Sequence, residues 1–288
     1  MGASTKEISD SGMRPSDVTG RARPSSRISD IWKAPFHDLP IREDLIYQYL
    51  PRWEGMELME IGPGSGFAAF RLAREGPRVT MVEYPSAGVE RLEATLRHER
   101  NLRFVCADLS RPGLAEKAGR NFDAVFGLAV FDLIPNPAIC LENLCSVLKP
   151  GGELMLQFPN YPPPLAPGII HFRTRKELDD LLRHAGFRSW NVYGLALRPH
   201  AQLLYDWLHE APLHVMHRVR RYRKAGQATT FENTWSFRQG RKLDKLKSLI
   251  HAAWALQFAL IRLGGPCFQR ELLGNDIFSR NLLLTATV

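Results

Sequence analysis

"LMEIGPGSGF", Leu58 to Phe67, runs an apolar segment into a carboxylate, Glu60, and then into three glycines spaced two apart. A strand that feeds such a turn and then a helix opens a βαβ unit, because glycine takes the left-handed conformations that let backbone approach a ligand. The dinucleotide fingerprint G-x-G-x-x-G would need a glycine at position 67 if it began at Gly62. Phe67 stands there, so the spacing is G-x-G-x-G and a nicotinamide dinucleotide is the poorer match. Glu60, two residues ahead of Gly62, is also badly placed for a pyrophosphate. It suits a ligand with positive charge.

Outward from that turn the chain alternates strand and helix signals. Upstream, "LPIREDLIYQYLP" (Leu39 to Pro51) sets Ile41, Leu45, Ile46, Tyr49 and Leu50 at helical spacing and ends in proline. Downstream, "FAAFRLAREG" predicts a helix ending at Gly76 and "RVTMVEY" a second strand. Pro85 and Ser86 start a helix with Val89, Leu92 and Leu96 on one face. "LRFVCAD" and "FDAVFGLAVF" predict strands three and four. Asn136 caps the next helix with Pro137 at its first position, where a missing N–H costs nothing. The expected apolar face of that helix is Ala138, Leu141, Cys145 and Leu148, and "KPGG" stops it. "GGELMLQFP" predicts strand five. Thr174 and Glu177 form a capping box for a helix to about Ala185 with Gly186 as its left-handed end, and "SWNVYGL" is strand six. Continuous apolar strands alternating with helices imply a parallel sheet covered on both faces, the doubly wound α/β class. Ligands there lie at the carboxyl ends of the strands, so Glu60, Glu83, Asp108 and the Leu128–Asp132 segment share one rim.

The totals bound the rest. A chain of 288 residues, 44% apolar, holds one large α/β domain or a core with a sizeable insertion. Cys106, Cys140, Cys145 and Cys267 show no CxxC spacing and no accompanying His pattern, which argues against a zinc site or a disulfide scaffold. Reduced cysteines of a cytoplasmic protein are the expectation. The first thirty residues are polar, rich in Ser, Arg and Pro, and lack an apolar h-region, so 1–30 reads as a disordered leader rather than a signal peptide. The formal charge of +8 is local: Arg198–Lys247 holds eleven Lys/Arg against four Asp/Glu. Such a run meets something anionic or forms a solvated basic face.

With these residues in place, "EIGPGSG" resembles motif I of the class I S-adenosylmethionine-dependent methyltransferases, an acidic residue followed by xGxGxG. Glu83 and Asp108 end strands two and three at the family's intervals. "LENLCSVLKPGGELMLQ" and "HFRTRKELDDLLRHAGF" are similar to the small-molecule branch, which includes quinone-biosynthesis methyltransferases. The resemblance covers about Leu39 to Leu195. It implies a seven-stranded, mostly parallel sheet whose antiparallel last strand, "SRNLLLTATV", lies between strands five and six. A methyltransferase domain of 31–195 plus 279–288 would then carry a helical, basic insertion at 196–278.

The resemblance also implies S-adenosyl-L-methionine as cofactor, S-adenosyl-L-homocysteine as product, and no metal. Gly62, Gly64 and Gly66 would cradle the cofactor's amino acid portion, with Glu60 orienting the ammonium end. Glu83, followed by Tyr84, would accept both ribose hydroxyls. Asp108 would accept from the adenine amino group beside the Leu109 N–H, and Leu128 and Ala129 would wall the sulfonium and its methyl.

Methyl transfer from sulfonium is an in-line displacement, so alignment dominates and a base matters only where the acceptor must lose a proton. His171 is the first candidate base, with His37, Asp132 and His200 behind it. "FPNYPPP" is similar to the NPPY tetrad of amino-methylating nucleic-acid enzymes, but it follows strand five instead of strand four. Within the insertion, Leu249–Leu263 is too short to span a bilayer. As part of 241–263 it could be a lid helix, a peripheral membrane contact with Lys242, Lys245 and Lys247 toward headgroups, or a homodimer surface. Three functions compete: methylation of a small hydrophobic or anionic metabolite, methylation of RNA through the basic segment, and a non-catalytic scaffold. The first is favoured, because no nucleic-acid motif accompanies the basic run.

Overall fold

The computed structural model describes residues 40–50, 54–64, 66–160, 172, 174–205, 207, 263–275, 277, 279 and 281–288. The expected leader and most of the expected insertion, including 241–262, lie outside them. Helix α1 (Pro40–Tyr49) leads to β1 (Glu57–Ile61), followed by α2 (Phe67–Ala73), β2 (Arg78–Glu83), α3 (Ser86–Leu96) and β3 (Leu102–Cys106). A short α4 (Leu114–Ala118) precedes β4 (Phe122–Leu128), then come α5 (Pro137–Val147), β5 (Leu148–Pro159), α6 (Arg175–Ala185) and β6 (Ser189–Leu197). Helix α7 (Pro199–Tyr205) and strands β7 (Phe268–Leu272) and β8 (Asn281–Thr287) complete the described elements.

The strands form one sheet in the order β3-β2-β1-β4-β5-β8-β6-β7. Pairings from β3 through β5 are parallel, whereas β8 runs antiparallel to both β5 and β6. The chain steps outward in one direction from β1 and in the other from β4, so the β1/β4 boundary is the switch point where such sheets open a crevice. Alternation sorts the side chains into two cores. Leu58, Met81, Phe126, Met155 and Leu283 pack with α1, α2 and α3 on one face. Met59, Val82, Val125, Leu154, Leu156 and Leu284 pack with α4, α5 and α6 on the other. We call these the α1–α3 face and the α4–α6 face.

Local chemistry accounts for most boundaries. Asn136 caps α5 through Ile139 N–H (3.4 Å), and Thr174 caps α6 through Glu177 N–H (3.4 Å). Each such cap stabilises by about 1 kcal/mol. Gly186 ends α6 at φ +100° as expected. The KPGG turn is a loop within β5: Leu148 pairs with Phe122, and the ladder resumes at Glu153 opposite Ala124. Lys149 is stitched to Asp123, whose carboxylate also accepts the Glu57 N–H (2.8 Å). Burial works against that carboxylate's charge, but these two donors outweigh it and hold Asp123 below its ordinary range.

Three expectations need correction. Among the described residues the sheet has eight strands, not seven, because β7 pairs antiparallel with β6 at the edge. That strand comes from within 196–278, so the segment expected to be a helical insertion contributes to the sheet. Helix α1 fastens it: Asp44 accepts the Cys267 N–H (2.6 Å), Gln48 donates to the Phe268 carbonyl (3.3 Å), and Arg270 lies between the rings of Tyr49 and Tyr193. The buried stripe of α5 is Cys140, Leu141, Leu144 and Val147 instead of Ala138, Leu141, Cys145 and Leu148. Helix α5 packs on α4 and α6 as well as on the sheet, which widens and turns its apolar face. Helix α4 has no counterpart in the sequence reading, because five residues between Gly113 and Gly119 show no helical period. All four cysteines are free. Among the described residues no helix is long and apolar enough to cross a membrane.

Candidate cofactor site

The glycine turn lies at the switch point. Gly62, Gly64 and Gly66 all have positive φ, +58°, +56° and +79°. Packing demands glycine at two of them. A Cβ on Gly62 would lie 2.2 Å from Val130 Cγ2, and one on Gly66 would lie 2.7 Å from Leu96 and 2.9 Å from Leu92. The turn is tied down by Gly62 N–H to the Val82 carbonyl (2.9 Å), Gly66 N–H to the Pro63 carbonyl (2.7 Å), and Arg91 Nη2 to the Gly64 carbonyl (3.1 Å). Gly66 is the N-cap of α2 and has no side chain to cap with. Glu60, 4% exposed, substitutes for it: its Oε2 accepts the Ala69 N–H at 3.0 Å. The acidic residue of the opening motif therefore has a structural duty beside any contact with a cation.

Along the rim, Glu83 ends β2 and its Oε1 accepts the Tyr84 N–H (2.9 Å), while the Tyr84 ring is exposed. Gly88 makes room, since a Cβ there would lie 2.7 Å from Glu83 Cγ. Asp108 follows β3 and folds onto its own turn: Oδ1 accepts the Ser110 hydroxyl (2.6 Å) and N–H (3.0 Å), and Oδ2 is 3.3 Å from Arg111 Nε. The Ser110 hydroxyl, with the Ser110 N–H and Arg111 behind it, holds the Asp108 carboxyl below its ordinary range. Leu109 is buried, and its carbonyl accepts from Asn143 (3.2 Å). Asn143 on α5 also donates to the Arg111 carbonyl (2.7 Å) and accepts the Leu114 N–H (3.4 Å), bracing the whole β3–α4 loop. Sequence reasoning missed this residue. Its signal is a lone amide inside the apolar run of α5.

Across the switch point, Leu128 ends β4 and Ala129 adopts φ +54°, a left-handed conformation rare for alanine. Its N–H donates to the Gln157 carbonyl on β5 at 2.7 Å, which holds that bend in place. Gly127 keeps β1 and β4 close, because a Cβ there would lie 2.6 Å from Ile61 Cγ1. Gln157 itself is 7% exposed and its side-chain Oε1 has no hydrogen-bond partner among the described residues. An unsatisfied buried acceptor costs about 1–3 kcal/mol. Past the end of β5, Asn160 closes a neck: it accepts the Phe172 N–H (2.9 Å) and donates to the carbonyls of Phe172 (3.1 Å) and Ile277 (3.2 Å). Behind it on the α4–α6 face Phe131 stacks on Phe172, and Phe158 meets both rings edge-on.

The structure thus brings Glu60, the three glycines, Glu83, Asp108, Leu109, Leu128 and Ala129 to one edge. Of the candidate bases, Asp132 and His200 are described. His171 and His37 lie outside the described residues. Asp132 is buried, 3% exposed, on a single turn of 3-10 helix. His200 follows β6, three strand spacings from β4 or roughly 14 Å across the sheet, with its ring against Gly264.

A mostly parallel sheet with a glycine turn at its switch point and carboxylates at the ends of its second and third strands is the arrangement of a doubly wound α/β protein. A family model described as a methyltransferase domain matches residues 59–156. The chain is 30% identical over 132 residues to a ubiquinone biosynthesis O-methyltransferase of Alkalilimnicola ehrlichii, covering 45% of this chain and 52% of that one. It is 29% identical over 189 residues to the protein of that description in Xylella fastidiosa, covering 57% and 74%. The chain spans about half the length of the first of these relatives. Among solved structures, phosphoethanolamine N-methyltransferase 2 of Haemonchus contortus with bound S-adenosyl-L-methionine superposes with a TM-score of 0.50 at 14% identity, over 85% of this chain and 52% of that one. The [4+2]-cyclase SpnF superposes at 0.52 with 16% identity, over 90% and 91%. Residues 59–156 thus match a methyltransferase domain, and these similarities support a class I S-adenosylmethionine-dependent methyltransferase.

Proposed function

We propose that the protein transfers a methyl group from S-adenosylmethionine to a hydroxyl of a small metabolite. The observation that carries this reading is the edge built at the β1/β4 switch point, where a packed glycine turn faces the left-handed Ala129 bend and Glu83 stands one strand away. The residues fit the cofactor. Backbone at Gly62 and Gly66 comes close because no Cβ could be accommodated there, and Glu83 offers a carboxylate suited to a pair of sugar hydroxyls. Glu60 and the turn would hold the cationic amino acid end, Glu83 the ribose, and the Asp108–Leu109 segment the adenine.

When bound, S-adenosylmethionine supplies an electrophilic methyl on a sulfonium. The protein's share is alignment: Leu128 and Ala129, locked to β5 through Gln157, wall the reacting end and exclude water, and the switch-point crevice brings the acceptor in line. A hydroxyl acceptor is preferred over nitrogen or carbon because the curated relatives described above are named as O-methyltransferases. Fold alone would not carry the reading, since one structural neighbour is named a cyclase.

Titration calorimetry tests the cofactor half. Wild-type protein should bind S-adenosylmethionine, and Glu83→Ala should weaken binding by about 10–100-fold, the loss of hydrogen bonds to a charged group. Wild-type protein that fails to bind would return the scaffold reading.

A further inference from the structure

We infer that Gln157 is the acceptor-recognition residue: its side-chain oxygen receives an N–H or O–H donor from the methyl acceptor. The inference rests on the methyl-transfer reading and adds to it the chemistry demanded of the substrate. Strand alternation fixes where Gln157 points. Leu154, Leu156 and Phe158 belong to the core of the α4–α6 face, and Met155 to that of the α1–α3 face, so Gln157 projects from the α1–α3 face. Glu60 and Leu128 lie on that same face, Glu60 two residues beyond Leu58 of its core and Leu128 packed against it.

Register then fixes the level. Gln157 pairs with Leu128, the last residue of β4, and with Leu283 of β8. It is therefore one strand spacing, about 4.8 Å, from the wall proposed for the reacting methyl. Its main-chain carbonyl, hydrogen-bonded to Ala129, ties it to that wall. His200, half-buried but with a buried ring nitrogen that has no partner among the described residues, stands two strands farther out. Buried polar groups are nearly always paired, and Gln157 is more than nine-tenths buried with its oxygen unpaired among the described residues. A donor on the acceptor molecule completes it. A substrate analogue lacking that donor would leave a buried acceptor unsatisfied, and sites of this kind reject such analogues strongly.

The test compares wild type with Gln157→Met, which keeps the volume and removes the polar atoms. The probes are alkylated 1,2-dihydroxybenzenes. The expected result has three parts: kcat/KM falls about tenfold or more, the Kd for S-adenosylmethionine stays within about twofold, and the melting temperature without ligand stays equal or rises, because an unpaired acceptor has been removed. Unchanged kcat/KM overturns the inference. So does a tenfold weaker Kd for the cofactor, which would assign the oxygen to the cofactor's ammonium, and so does a melting temperature lowered by several degrees, which would show the oxygen paired within the fold. If wild-type protein fails to bind S-adenosylmethionine, the methyl-transfer reading itself fails. The melting comparison still decides whether the oxygen is unpaired.

Discussion

From β3 to β4, the parallel half of the sheet, Glu60, Glu83, Asp108 and Asn143 each hydrogen-bond a turn or loop at the rim. From β5 outward, Gln48, Gln157 and His200 each bury a polar atom that has no partner among the described residues. The first arrangement spends its polar groups on geometry, as a site does when it must meet one unvarying cofactor in a rigid cradle. The second leaves acceptors open on the side where β5 meets the antiparallel strands. An enzyme whose donor is constant and whose acceptor is particular to it divides its polar chemistry in this way.

The sharpest way to break that contrast is at the turn. Gly62→Ala should lower affinity for S-adenosylmethionine by about 100-fold or more, near 3 kcal/mol, since its Cβ must displace Val130 from a left-handed backbone position. Calorimetry on protein whose circular dichroism matches wild type measures it, and near-normal binding would mean that packing does not hold the cradle. Asn160 probes the second half, at the seam that ties the end of β5 to Phe172 and Ile277. Asn160→Ala removes three hydrogen bonds and orphans Phe172 N–H and two carbonyls, so urea unfolding should show a loss of about 2–4 kcal/mol. A loss under about 1 kcal/mol would make the seam dispensable.

The smallest effect concerns Asp108. Its carboxyl is held low by Ser110, so its contribution to stability is present above the unfolded carboxylate value near 3.9 and is lost as pH falls through the lower folded value. Ser110→Ala removes the hydroxyl donor, the largest cause, and brings the two values closer, with the Ser110 N–H and Arg111 still in place. The urea midpoint should then fall less steeply with acid between about pH 5 and pH 2 than in wild type. An unchanged slope would detach Asp108 from its own turn.

Much of this was legible in the chain. The place of the last strand between β5 and β6 came from the family resemblance, whereas the strand–turn–helix order, the caps at Asn136 and Thr174 and the left-handed glycines appear in the sequence as period, capping residue and turn chemistry. These are local signals within a few residues of one another. The rim residues Glu60, Glu83 and Asp108 were legible for the same reason, because each closes its own strand. Strand β7 was not. "FQREL" buries only Phe268 and shows no alternation, and it is held by Asp44, Gln48 and Tyr49, more than 200 residues earlier.

The chain by itself determined most of the strands and helices, though not α4 or β7, and which turns must be glycine, since backbone sterics and hydrophobic period act over short range. Only the tertiary structure decided that Glu60 caps α2, that Asn143 and Asn160 brace loops contributed by other elements, and that the oxygen of Gln157 lies buried without a partner among the described residues. Burial and hydrogen-bond completion belong to neighbours brought together from distant parts of the chain, and no local pattern specifies them.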